Sequence, residues 1–137
     1  MDFKEKAELA ERLGLGSASL LKYLPEKELD HICNGIGPSW FPTTIREMVT
    51  KLHKSLAIAA DIHDLRYWNG QGTAEDFRDA NKEFLENGIK LANHFYGWYD
   101  PRRYLARASA RNFFELLEIG GRIAYNKAIA DRELYAK

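Results

Sequence analysis

Residues 56–91 read LAIAADIHDLRYWNGQGTAEDFRDANKEFLENGIKL, and the fold is decided within this stretch. Ahead of the Asn69-Gly70-Gln71-Gly72 break, Leu56, Ala59, Ala60, His63 and Tyr67 recur at intervals of three and four. Beyond it, Phe77, Asn81, Phe84, Gly88 and Leu91 do the same. Such spacing puts each set on one face of an α-helix. The first helix is read from Thr43 or Thr44 to about Trp68. The second is read from Thr73, whose hydroxyl with Asp76 three residues on approximates a capping box. Two helices joined by so short a break predict an antiparallel helical hairpin.

The hairpin has a polar seam. His63 and Tyr67, four apart, project from one face, while Asp64 is rotated by about 100° toward a different neighbour. On the partner helix, with Phe77 as zero, Asn81 lies at about 40° and Phe84 at about 340°, whereas Asp79 lies near 200° and faces water. At about 1.5 Å per residue, His63 sits roughly 7 Å and Asn81 roughly 12 Å below the turn. Side chains lean toward the N-terminus of their own helix, so the opposed tilts bring the two together. The pattern pairs His63 with Asn81.

Working outward, Asp2 to Leu13 carries Phe3, Ala7, Ala10 and Leu13 at helical spacing, with Gly14 and Gly16 as a stop. Ser17 is read as the cap of a short turn bearing Leu20, Leu21 and Leu24, followed by Pro25 and a segment from Glu26 to Ile32. On the other side, Pro101 suits a first helical turn. Helices are expected over Tyr104 to Phe114 and Ile123 to Leu134, with a break at Gly120-Gly121. No segment alternates as a strand does, so the fold class expected is all-α. The hairpin carries the His/Asn pair, with N-terminal and C-terminal helices packed around it. Residues 1–137 are read as a single domain, 1–32 being an N-terminal helical extension and 33–128 the core.

Composition narrows the functions available. The chain has 137 residues, 45% of them hydrophobic, enough for one domain with its own core. Twenty Lys plus Arg balance twenty Asp plus Glu, which leaves no global field for nucleic acid. The lone cysteine, Cys33, forms no intramolecular disulfide, which favours a reducing compartment. Met1 to Leu13 lacks the apolar run of a secretory signal, and no segment approaches the roughly 20 apolar residues that span a bilayer. A cytoplasmic location is expected, with oligomerisation left open.

One loop stands out upstream of the hairpin, Cys33-Asn34-Gly35-Ile36-Gly37-Pro38. Backbone carbonyls freed by such a turn are hard oxygen donors suited to calcium, which also favours a carboxylate, and Asp64 is the candidate. Taken together, Gly35-Ile36-Gly37, His63-Asp64-Leu65-Arg66-Tyr67 and Ala80-Asn81-Lys82-Glu83-Phe84 resemble the phospholipase A2 superfamily. The likeness is to the compact domains of bacterial, phage and parvovirus capsid proteins, whose pattern is Gly-x-Gly, His-Asp-x-x-Tyr and Ala-Asp-x-x-Phe. It spans Cys33 to Phe84, with a fainter echo in Gly120-Gly121 and Lys127, and it implies a phage- or virion-associated location as the alternative to a cytoplasmic one.

The resemblance implies a calcium-dependent hydrolase acting on the sn-2 ester of a glycerophospholipid at a membrane or micelle interface. His63 would take a proton from the attacking water. Asp64 and the carbonyls of Cys33, Gly35 and Gly37 would hold Ca²⁺, a Lewis acid toward the ester carbonyl. The Gly35 amide would be a second oxyanion donor, and Tyr67 would bond the residue that orients His63. Where the family has aspartate, this chain has Asn81. An amide oxygen can fix the tautomer of the imidazole but adds no charge to stabilise the imidazolium. The resemblance therefore implies an attenuated enzyme or, alternatively, a non-catalytic module that binds calcium, membrane or protein.

Other residues have plainer readings. His63, Asp64, Tyr67 and Asn81 also make sense as a structural polar cluster, since a buried amide calls for partners. His31 and Cys33 are too few for a zinc site. Trp40, Phe41 and Trp68 are either interfacial aromatics or core. Tyr96, Trp98, Tyr99, Arg102 and Arg103 read as packing plus solvated charge.

Overall fold

The computed structural model describes residues 1–33 and 53–136. Among them are six helices and no strand: α1 (Phe3–Arg12), α2 (Leu20–Tyr23), α3 (Glu26–Ile32), α4 (His53–Trp68), α5 (Ala74–Phe95) and α6 (Pro101–Tyr135). The fold is all-α. The glycine loop with Gly35 and Gly37, Trp40 and Phe41, and the predicted helix start at Thr43 or Thr44 lie outside the described residues.

Three of these helices begin where the sequence supplies an acceptor for free amides. The Asp2 carboxylate accepts from the Glu5 amide at 2.8 Å, and the Thr73 hydroxyl from the Asp76 amide at 3.0 Å. The Asp100 carboxylate accepts from the Arg102 amide at 2.9 Å, just ahead of Pro101. Ser17 is not the cap expected of it. It adopts φ 58°, its carbonyl accepts from Leu20, and α2 starts from Ser19 without a side-chain cap.

α4 is the central element. Ser55 to His63, Leu65, Tyr67 and Trp68 are all buried, so it is covered on every side instead of along the single stripe that its spacing suggests. α5 buries Phe77, Ala80, Asn81, Phe84, Asn87, Gly88, Leu91 and Ala92. Contacts between the two run Tyr67 to Phe77, Arg66 to Asp76 and His63 to Asn81. From Tyr67–Phe77 to His63–Asn81 and His63–Phe84 the numbers fall on α4 as they rise on α5, so the two helices pass in opposite directions.

α6 closes the other side, and here the sequence reading is corrected. Gly120-Gly121 does not break it; α6 runs unbroken for 35 residues. The reason is a close approach. A Cβ at Gly121 would stand 2.9 Å from the Tyr67 hydroxyl and 3.3 Å from the Phe77 ring, so glycine lets α6 pass against α4 and α5. Its buried residues Ala106, Ala110, Phe113, Leu117, Gly121 and Tyr125 trace one stripe through that point.

The N-terminal helices share this core: Ala7, Leu9, Ala10, Leu21, Leu29 and Ile32 belong to the same apolar cluster as Leu56, Ile62 and Phe84. A buried amide fastens them down. Asn87 accepts from the Gly16 amide at 2.8 Å and donates to the Gly16 carbonyl at 3.1 Å, satisfying both ends of the side chain.

Gly121→Ala should lower stability by about 2 kcal/mol in urea unfolding, the usual cost of one methyl forced into a packed interior. No change would mean the approach to Tyr67 is not tight. Ser109 is the opposite case, since its buried hydroxyl has no hydrogen-bond partner among the described residues. Ser109→Ala should gain roughly 1 kcal/mol, from relieved desolvation and better helix propensity.

Candidate functional site

The seam between α4 and α5 holds a closed hydrogen-bond set around Asn81, which is fully buried. Its Oδ1 accepts from the Tyr67 hydroxyl at 2.5 Å and lies 3.0 Å from His63 Nε2. Its Nδ2 donates a long bond of 3.5 Å to Glu118 Oε2 on α6. The carboxylate only accepts, so it selects the NH₂ edge of the amide and turns Oδ1 toward the imidazole. His63 Nε2 must then carry the hydrogen, and the ring lone pair sits on Nδ1. The structure brings His63, Tyr67 and Asn81 together, and Asp79 is exposed, as its angular position implied.

Rings wall this set. His63 lies 4.0 Å centroid to centroid from Tyr67 and 5.4 Å from Phe84. Burial is the main reason the imidazole pKa falls to about 4. The Asn81 bond acts the other way, and the Arg66 charge adds a smaller push to the fall. His63 is therefore neutral across the physiological range. Burial likewise pushes the Tyr67 phenol up, helped by the charges of Glu118 and Asp64, so Tyr67 remains a donor.

Asp64, one residue on, occupies a different environment. It is partly buried, and among the described residues no hydrogen-bond donor or cation is paired with it. Burial first, and the Asp61 charge second, hold its carboxyl well above the ordinary carboxylate value. Asp61 is neutralised in part by Lys6 of α1, whose Nζ lies 2.6 Å from its carboxylate. Cys33 also reaches this corner. Its thiol stands 3.7 Å from the Asp61 carbonyl oxygen, and burial, then the charges of Asp61 and Asp64, push its pKa up. Cys33 is a neutral thiol. Gly35 and Gly37 lie outside the described residues, among which no group of three or more His, Cys, Asp or Glu converges to hold a metal ion.

A second network braces the turn. Arg66 pairs with Asp76 at 3.0 Å and Glu83 at 3.3 Å. The Tyr125 hydroxyl donates to Asp76 at 2.6 Å and accepts from the Gly72 amide at 2.8 Å. Burial alone would raise the Asp76 pKa, but the bonds from Tyr125, the Gln71 amide and Arg66 hold it below its ordinary value. Glu118, Tyr125 and Lys6 have no part in the sequence reading. For the first two the signal was the four-residue spacing through Leu117, Gly121 and Tyr125, hidden by taking Gly120-Gly121 as a stop. Trp68 is core: with Tyr135 it walls His31, whose ring stacks on Tyr135 at 5.0 Å. Comparison with family models, curated proteins and solved structures finds no match for this chain.

The imidazole gives a pH signature. Its folded pKa is about 4 against 6.5 unfolded, so the unfolded chain binds the extra proton and stability falls as pH drops through that window. From pH 7 to pH 5 this group should cost about 2 kcal/mol. Urea titrations of wild type and His63→Gln across that range should differ in slope by this amount, and parallel curves would contradict a neutral buried His63.

Proposed function

We infer that the chain is a calcium-dependent, phospholipase A2-like hydrolase acting on the sn-2 ester of a glycerophospholipid, attenuated by Asn81. The observation that carries this reading is the buried Asn81 amide, which holds Tyr67 and His63 on one oxygen and leaves the imidazole lone pair on Nδ1. A neutral imidazole held in one tautomer is what a general base for an attacking water requires. Its pKa of about 4 makes it a weak base. That agrees with an attenuated rate, because the amide contributes orientation without charge.

The donor set suits calcium in chemical kind. Asp64 is a carboxyl without a compensating partner among the described residues, pushed toward its acid form by burial and by Asp61, and a hard cation would stabilise the ionised form. The Cys33 carbonyl, with those of Gly35 and Gly37, would complete the oxygen ligands, and a bound Ca²⁺ would supply Lewis-acid polarisation of the ester carbonyl. Asp64 would hold the ion, His63 would receive the proton at Nδ1, and Tyr67 with Asn81 would keep the ring in place. The Gly35 amide would donate to the oxyanion.

A second reading, a non-catalytic calcium-, membrane- or protein-binding module, is favoured by the missing charge at Asn81 and the low basicity of His63. Fatty-acid release from mixed phospholipid micelles separates the two. With calcium present, wild type should hydrolyse the ester and His63→Ala should fall by at least about 100-fold. Asn81→Asp should raise the rate tenfold or more by restoring a charge beside the imidazolium. Equal rates for wild type and His63→Ala would remove the enzymatic reading. Inactivity of both wild type and the Asn81→Asp variant, with calcium affinity lost in Asp64→Ala, would leave the binding module.

A further inference from the structure

The end of the bundle remote from His63 carries a second feature. Residues 96–111 contain four arginines, Arg102, Arg103, Arg107 and Arg111, against one carboxylate, Asp100. Asp100 is committed to Arg102, whose Nη2 lies 2.7 Å away. Arg103 and Arg107 are held differently. Their Nε atoms both donate to the side-chain oxygen of Asn93, at 2.9 and 2.8 Å. Two guanidinium groups are thus held side by side on one neutral acceptor, and among the described residues no carboxylate pairs with either. Anchoring through Nε leaves their outer N–H edges as donors, and the like charges are relieved by an oxyanion that both can reach.

The surroundings indicate which oxyanion. Trp98 and Tyr99 are 75% and 76% exposed, and Tyr104 and Leu105 stand out beside them. The Tyr104 hydroxyl donates to the Trp98 carbonyl at 2.7 Å, and the Arg107 guanidinium lies 5.7 Å from the Tyr104 ring centre. Rings and cations therefore form one continuous patch. The packing expected of Trp98 and Tyr99 is corrected here: neither is core. Exposed Trp and Tyr beside uncompensated arginine match the headgroup level of a membrane, with rings at the acyl boundary and guanidinium on phosphate.

We propose that the α5–α6 corner is a docking surface for anionic phospholipid, with Arg103 and Arg107 as the phosphate clamp. Asn81 and Asn93 are twelve residues apart on α5, about 18 Å, so this surface is separate from the chemistry at His63. Flotation of the full chain with vesicles of non-hydrolysable ether lipids in EDTA tests it without calcium or turnover. Vesicles with about 30% phosphatidylglycerol should bind the chain, and neutral phosphatidylcholine vesicles at least tenfold less. Arg103→Gln/Arg107→Gln should weaken anionic binding roughly 30-fold, and Trp98→Ala/Tyr99→Ala should weaken it on both vesicle types. Trp98 and Tyr99 are exposed, and Arg103 and Arg107 are partly exposed with only the Asn93 side chain as a hydrogen-bond partner among the described residues, so unchanged circular dichroism should accompany both variants; Arg103→Lys/Arg107→Lys, which keeps charge and loses the fork, should recover only part of the binding. Equal binding to both vesicle types, no loss in the Gln variant, or tighter binding to a single-stranded oligoribonucleotide than to anionic vesicles would overturn the proposal. Loss of hydrolysis with vesicle binding intact would count only against the enzymatic reading.

Discussion

A buried amide whose oxygen and nitrogen are both bonded to neighbours is the constraint around which this protein is arranged. Asn81 has no access to solvent, and its oxygen takes two donors from α4 while its nitrogen reaches α6. An amide left unpaired in such a place costs on the order of 1–3 kcal/mol, so any slip of α5 against α4 that separates these partners is penalised at once. Apolar packing would tolerate neighbouring registers more readily, because hydrophobic contact is not directional. The amide thus specifies one alignment of three helices. Asn87 performs the same service further along α5, where it holds the Gly16 peptide from both sides.

Small residues make that alignment sterically feasible. α6 can supply Glu118 to Asn81 and Tyr125 to Asp76 only by lying close to α4 and α5. It does so where Gly121 faces the Tyr67 hydroxyl and where Gly88 of α5 faces Ala110. Tyr67 meets Tyr125 edge to face at 5.2 Å, and Phe77 packs on both. Polar and aromatic contacts are here consequences of backbone proximity, and proximity is a consequence of glycine.

This explains what the sequence made legible. The helical class, the α5 face and the meeting of His63 with Asn81 follow from periodicity, because positions along a regular helix fix direction in space. Thr73 and Pro101 mark starts for equally local reasons. What escaped was nonlocal. A glycine pair in a helix reads as a stop unless one knows that another hydroxyl lies against it, and with α6 divided there, Glu118 and Tyr125 fell out of register. Lys6 was invisible for the same reason, since its pairing with Asp61 depends on how α1 returns to α4. Ser17 looked like a cap by residue type, but its positive φ reflects the tight passage from α1 into α2.

The electrostatics of the seam follow from the same burial. Dehydration pushes the imidazole toward its neutral form, the Tyr67 phenol toward its protonated form and the Asp64 carboxyl toward its acid form, so all three shift away from charge. A neutral His63 and a neutral Asn81 are mutually consistent: an aspartate in place of Asn81 would be a buried anion that only a protonated imidazole or a donor-rich surrounding could stabilise. The His63–Tyr67–Asn81 set is therefore compatible with burial because none of its three side chains is charged, and for the same reason it is poorly equipped to stabilise a charge. Chemistry of the proposed kind would depend on positive charge arriving beside Asp64, whose ionisation burial opposes and a cation would favour. In the proposed reading, neutrality without a cation and reactivity with one both trace to the burial of the side chains between α4 and α5.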